Sequence, residues 1–241
     1  MALRYLPGPR FAIVLSHFPG VRGPRDEEFV VCLRSHLENP LIASVVVLDE
    51  GVSNESPLGM LLSHAKVTRC STASRPTFAQ LADALRGVIK RNQFGIIANS
   101  DVRFDSSLGW ILAFGLRGND MLALSRREAD GSVFRAEIGD TQDAWVSRGV
   151  PETWQRCSFP IGLPSCDGRI ARIFVAEGHR VINPAFRIRM WHEHAEDVRS
   201  YTEHDRLPGT CGFVRPTGYL KGQASRALQH FGRNIVPFVV E

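Results

Sequence analysis

The sequence predicts a doubly wound α/β fold built on a mainly parallel sheet. Three observations carry that expectation. Apolar runs of strand length recur at residues 11–16, 42–48 and 94–98. Between them lie segments whose apolar residues are spaced three and four apart. Each run also ends abruptly in polar residues. Strands that alternate with helices pair in parallel, because the helix carries the chain back to begin the next strand in the same direction. Runs that are apolar throughout, rather than alternating, suit strands covered on both faces.

The elements follow in order. Residues 11–16 are the first strand, ending in Ser16-His17. Residues 26–37 have helical spacing, with Phe29, Val30, Leu33 and Leu37 on one face. The second strand, 42–48, runs into Asp49-Glu50-Gly51, and 65–70 is a short third strand. Residues 77–91 form an amphipathic helix through Phe78, Leu81, Leu85 and Ile89, capped by Thr77. The strand at 94–98 then breaks into Asn99-Ser100-Asp101. Beyond Asp105 the pattern changes: a short helix over 108–116, a strand over 121–125, and loops with short strands over 127–165. A helix from Asp167 to Glu177 stops at Gly178. Residues 180–184 and 186–190 suggest one further strand or a strand pair. The tail after Tyr201 is punctuated by Gly and Pro, and no internal repeat is present.

Composition narrows the function classes. A chain of 241 residues, 44% hydrophobic and 22% charged, suffices for one sizeable core, and a single domain over 1–241 is expected. The net charge of +4 is carried mostly by arginine without a concentrated basic run. That suits contacts to phosphate or carboxylate and gives no reason to expect a nucleic-acid partner. The five cysteines, Cys32, Cys70, Cys157, Cys166 and Cys211, are odd in number and lack a CxxC pair. They argue for a reducing compartment and a cytoplasmic protein. No apolar run approaches the roughly 18–20 residues of a membrane span, and the N-terminus lacks a signal-peptide core. Peripheral association with a membrane stays open.

Chemistry is expected at the strand ends, where an open α/β sheet binds ligands. A carboxylate at Asp101, beside small polar neighbours, can hold a hard divalent cation, which in turn neutralises a diphosphate. The competing reading of Asn99 and Asp101 is an Asx turn that caps the next segment. Ser16, His17, Asp49 and Glu50 lie at strand ends suited to nucleotide contacts, and Arg75 precedes a helix where it can reach a phosphate. Asp167 opens a helix, as its cap, as a base, or as both. In Trp191-His-Glu-His194 two histidines flank Glu193 after an apolar run, which puts ligation by imidazole level with the reading of both as ordinary core or surface residues. The segment holding Asp140, Gln142, Asp143 and Trp145 combines hydrogen-bonding groups with an aromatic ring, as an acceptor site for a sugar would.

The order of these parts resembles the glycosyltransferase-A superfamily, particularly its family-2-like branch. Asn99-Ser100-Asp101 resembles the Asp-X-Asp-type motif, and Ser165-Cys166-Asp167 the helix-opening X-Glu-Asp-type motif. Gly178-His-Arg-Val-Ile-Asn-Pro184 resembles the turn and strand after it, and His192 or His194 the terminal histidine. The resemblance spans roughly residues 10–200. It implies a Rossmann-like nucleotide-binding half at about 10–105, an irregular acceptor and catalytic half at about 106–200, and a tail at 201–241. It further implies a nucleotide-sugar donor, a glycan or glycoconjugate acceptor, and Mn2+ or Mg2+ at Asp101 with His192 or His194. Ser16, His17, Asp49, Glu50, Arg75, Asn99 and Ser100 would then line the donor site, and Asp140, Gln142 and Trp145 the acceptor site. Inverting transfer follows from Asp167 as base, with Asp143 next in line; a retaining transferase stays open. Two positions depart from the motifs: Asn99 replaces the first Asp, and Cys166 stands where an acidic residue is common. Two alternatives remain, a transferase-like domain that binds glycans or scaffolds without activity, and a sugar nucleotidyltransferase. Against the latter, Ser16-His17-Phe18-Pro19-Gly20 lacks a glycine-rich basic loop.

Overall fold

The structure, a computed structural model, describes residues 10–17, 24–193, 202–218 and 235–240. Its first half runs β1 (Phe11–His17), α1 (Pro24–Glu38), β2 (Ile42–Asp49), α2 (Pro57–Leu62), β3 (Val67–Ser71), α3 (Phe78–Val88) and β4 (Phe94–Ala98). Then come β5 (Val102–Phe104), α4 (Trp110–Phe114), β6 (Asp120–Leu124), β7 (Ala144–Arg148), α5 (Cys166–Ala176), β8 (Arg180–Ile182) and β9 (Met190–His192). A final pair, β10 (Gly209–Val214) and β11 (Ile235–Val240), is antiparallel.

Seven strands form the central sheet in the order β3-β2-β1-β4-β7-β6-β8. All are parallel except β7, which is antiparallel to both β4 and β6. The carboxyl ends of β1, β2, β4, β6 and β8 therefore share one edge with the amino end of β7. The expected mainly parallel, doubly wound sheet is present. Its strands bury both faces, as their unbroken apolar runs demand. Phe11, Ile13 and Leu15 pack towards Phe29, Leu33 and Leu37 of α1, whereas Ala12 and Val14 face Leu81 and Leu85 of α3 and the side that carries Phe174 of α5.

Local signals set most helix limits. Thr77 caps α3 in a capping box: its Oγ1 accepts from Gln80 N at 3.2 Å while its own N donates to Gln80 Oε1 at 2.8 Å. α3 ends at Val88, short of the expected 91. The helix expected over 108–116 is a 3-10 turn at Ser106–Gly109 followed by α4, which Gly115 ends in the left-handed region at φ 59°.

The departures from expectation are α2, residues 186–190 and the tail. α2 and β7 are ordered pieces of only six and five residues, too short for a period to declare itself. The strand expected over 186–190 is instead a turn, in which Arg187 and Ile188 donate to the carbonyl of Pro184, and only Met190–His192 pairs, with β5. Part of the Gly- and Pro-punctuated tail forms the β10–β11 pair. β10 crosses α5 at Gly168, where a Cβ would sit 2.8 Å from that of Cys211. No helix among the described residues is long and apolar enough to cross a membrane.

Candidate active site

The polar edge of the sheet is assembled from both halves of the chain. β4 ends at Ala98, and the next amide, Asn99 N, donates to Asp143 O at 2.9 Å, extending the β4–β7 ladder by one step. That step brings the side chains together: Asn99 Nδ2 donates to Asp143 Oδ1 at 2.8 Å. Ser100 Oγ donates to the carbonyl of Ser16, tying the end of β4 to that of β1. Asp101 then meets the β5–β9 ribbon, in which Val102 is opposite His192. Glu193 N donates to Asp101 O at 2.9 Å, and His192 Nε2 lies 3.5 Å from Asp101 Oδ2.

The catalytic candidates converge on the same place. Asp167 is the second residue of α5, whose amino end abuts the loop before β7: Gln142 N donates to Asp167 Oδ2 at 3.3 Å, and Cys166 Sγ to Oδ1 at 3.0 Å. Of the roles open to Asp167, that of helix cap is therefore taken by another residue. Ser165 holds that position at φ 70° without a side-chain cap bond, and the Asp167 carboxylate is turned towards the sheet edge. Arg126, two residues past β6, brings a guanidinium into the cluster. It lies 3.4 Å from Asp143 Oδ2 and 3.1 Å from Glu128 Oε1, over the Phe134 ring at 4.3 Å.

Burial and like charges reset the acidities. Burial first, and then the charge of Asp143, push the Asp167 carboxyl up to about 7. Asp143 is also raised, by burial and by Asp101, against the pull of Arg126. For His192 burial alone would favour the neutral ring, but the hydrogen bond and charge of Asp101 outweigh it and raise its proton affinity. Burial of Arg126 is likewise outweighed by Asp143 and Glu128, so it stays charged.

The cluster gathers the acids Asp101, Asp143, Asp167 and Glu128 around Arg126 and a protonatable His192, and the proton affinities of Asp143 and Asp167 are raised. A divalent cation fits the hard oxygen and imidazole donors of Asp101 and His192. Among the described residues no group of three or more His, Cys, Asp and Glu side chains can hold a metal. An Mg2+-type ion shared with a diphosphate needs only one or two protein carboxylates.

Several expected contacts are corrected. Trp145 is 2% exposed inside β7, edge-on to Trp154 at 6.3 Å, so its ring is core and offers no face to a sugar. Gln142 is equally buried, with Nε2 donating to Gly139 O at 2.7 Å. Asp140, half-buried, pairs with Arg135 at 2.9 Å. Asp49 is consumed by its own turn: Oδ1 accepts from Gly51 N and Val52 N, and Oδ2 from Arg69 Nε at 2.6 Å. Glu50 and Arg75 stay half-buried beside one another, and burial raises Glu50 against the influence of Arg75. Ser16 is buried, and His17 packs edge-on against Phe29 at 4.8 Å, where burial lowers its pKa to about 4. His194 lies outside the described residues. Sequence reasoning missed Arg126 and Asn183, whose Nδ2 joins Ser125 Oγ to Val214 O, both at 2.8 Å. The signal that exposed Asn99–Asp101 was present for both, a buried strand breaking into polar residues.

No protein-family model and no curated protein sequence matches the chain. Solved structures do. Staphylococcus aureus TarS 1–349 in complex with UDP-GlcNAc superposes with a TM-score of 0.56 at 10% identity, over 80% of this chain and 62% of that one. A mannosyltransferase from Pyrobaculum calidifontis, in complex with GDP-Man and Mn2+, gives 0.50 at 15% identity, over 74% of this chain and 55% of that one. A 4-diphosphocytidyl-2C-methyl-D-erythritol synthase from Anaerococcus prevotii gives 0.50 at 10% identity, over 82% and 93%. The chain thus spans less than two thirds of the two transferase structures, and at these identities the likeness is one of architecture. Together with the strand order, the likeness shows a glycosyltransferase-A-type fold.

Proposed function

We propose that this chain transfers a sugar from a nucleotide-sugar donor to a hydroxyl of a glycan or glycoconjugate acceptor, with inversion and with a divalent cation at Asp101 and His192. The observation that carries the reading is the pairing of two environments on one sheet edge. Asp101 and His192 offer cation ligands, and Asp167, linked to them through Asp143, has its pKa raised to about 7. The cation, when bound, offsets the charge of the departing diphosphate. Asp167, as carboxylate, accepts the proton of the acceptor hydroxyl while its oxygen bonds to the anomeric carbon and the carbon–oxygen bond to the diphosphate breaks. A base with proton affinity near neutrality is matched to that task. The charge of Asp143 holds Asp167 high, and Asp143 is itself buried.

Support comes from the similar structures: one carries GDP-Man and Mn2+, another UDP-GlcNAc. The test is thermal shift with UDP and with GDP, in Mn2+ and in chelator. A ligand at 100 times its Kd should stabilise by about 2.7 kcal/mol. Metal-dependent stabilisation that disappears in Asp101→Ala, with the fold retained, is expected; equal shifts in Mn2+ and chelator would remove the cation from the reading.

A sugar nucleotidyltransferase is the second reading, favoured by the synthase structure of which the chain covers 93%. Incubation with a sugar phosphate and a nucleoside triphosphate separates the two, since only that reading releases pyrophosphate.

A further inference from the structure

Asn99 stands where the motif it resembles has a carboxylate, and it is fixed to an acid at the start of the neighbouring strand. Asn99 Nδ2 donates to Asp143 Oδ1 at 2.8 Å, and Asn99 N donates to Asp143 O at 2.9 Å, so side chain and backbone both fix the pair. On its other side Asp143 N donates to Leu124 O at 3.0 Å, which sets Asp143 at the middle of the polar edge, between the ends of β4 and β6. Two carboxylates at hydrogen-bonding distance cannot both be charged without strong repulsion. The 99–143 position therefore holds one negative charge, and in this chain it lies beside β7 instead of β4. Arg126 Nη1 lies 3.4 Å from the other Asp143 oxygen, and beyond that pair the charges of Asp101 and His192 also reach Asp143.

We infer that Asp143 supplies the carboxylate that Asn99 omits: its charge contributes to holding the cation and diphosphate, and Asn99 is the positioning residue that aims it. The inference rests on the cation-and-diphosphate reading of this site. It also reassigns Asp143, which the sequence alone placed with the acceptor or as a reserve base. The charge is exchangeable across the hydrogen bond, since Asn99→Asp combined with Asp143→Asn would present the same pair in reverse. Repulsion, by contrast, is built into Asn99→Asp alone, and loss of charge into Asp143→Asn alone.

Calorimetric titration of the full chain with UDP and with GDP, each with Mn2+, tests this across four proteins: wild type, Asp143→Asn, Asn99→Asp and the double variant. Asp143→Asn should weaken Mn2+-dependent binding on the order of 10-fold or more, the usual worth of a group that supports a metal site. Asn99→Asp should also weaken it. The double variant should return to within about threefold of wild type, as expected if one charge at this position decides the outcome. Arg156→Ala, the control, removes only an exposed ion pair with Glu177 and should bind like wild type. Wild-type affinity in Asp143→Asn overturns the inference and leaves the cation reading standing. So does a double variant no tighter than Asp143→Asn. If wild type shows no Mn2+-dependent binding of either nucleotide, the cation reading falls and takes the inference with it. Should Asn99→Asp fail to fold, the other two variants still decide.

Discussion

Replacing Asp167 by Asn removes a charge and keeps the shape of the group, so its effect on stability should change with pH. The native carboxyl is pushed up to about 7 by burial and by Asp143, whereas its ordinary value is 3.8. A carboxyl held more tightly protonated in the native state adds stability below about pH 4, and that contribution is lost as pH rises through about 7. At 1.36 kcal/mol per tenfold change in proton affinity, the interval corresponds to about 4 kcal/mol. Asp167 keeps part of its surface in solvent, which screens the charge and reduces the figure to about 2 kcal/mol. At about 2–4 °C per kcal/mol for a chain of this size, Asp167→Asn should melt about 4–8 °C above wild type at pH 8 and near wild type at pH 4. The amide still accepts from Gln142 N and gives up only the Cys166 thiol contact. Calorimetric or fluorescence melts at both pH values measure the difference. Transfer at neutral pH should meanwhile fall on the order of 10²–10⁴-fold. A melting difference that is the same at pH 4 and pH 8 would refute the buried-charge argument, and unchanged turnover would refute the base.

Three further changes probe the frame that holds the site. Gly168→Ala puts a Cβ 2.8 Å from the Cys211 Cβ and should cost about 1–3 kcal/mol, read as a lower Tm; unchanged stability would mean that β10 moves freely off α5. Asp120→Ala strands Arg180, whose Nε donates to Asp120 Oδ1 at 2.8 Å, and should cost about 3–5 kcal/mol by denaturant titration, because the acid is 1% exposed and the pair spans β6 and β8. Thr77→Ala opens the capping box of α3 and should cost about 1 kcal/mol, with Mn2+-dependent nucleotide binding unaffected.

Much of the frame was legible because its signals are local. The buried runs before Ser16, Asp49 and Asn99 are apolar without interruption, and Thr77 announces its helix through Gln80. The second half was harder to read. β7 is a five-residue strand inside a segment without a period, so Trp145 passed for a loop aromatic when it is core. Within the candidate site, Asp101, Asp167 and His192 were each visible as polar residues at the end of an apolar run or the start of a helix. Their meeting was not. Asp101 and His192 are joined by the register of β5 against β9, and Asn99 and Asp143 by one extra rung between β4 and β7.

Periodicity along the chain thus determined the α/β alternation, the parallel sheet that follows from it, and which strand ends turn polar, since each depends on residues within a few positions of one another. Only the tertiary structure decided that Asp49 is spent on its own turn and Arg69, that Asn99 meets Asp143, and that the Asp167 carboxyl is raised to about 7 while Ser165 takes the cap position of its helix. Those outcomes depend on strand register and on desolvation. Both are properties of neighbours brought together across 20 to 90 residues of sequence, as the spans from Asp49 to Arg69 and from Arg103 to Glu193 show.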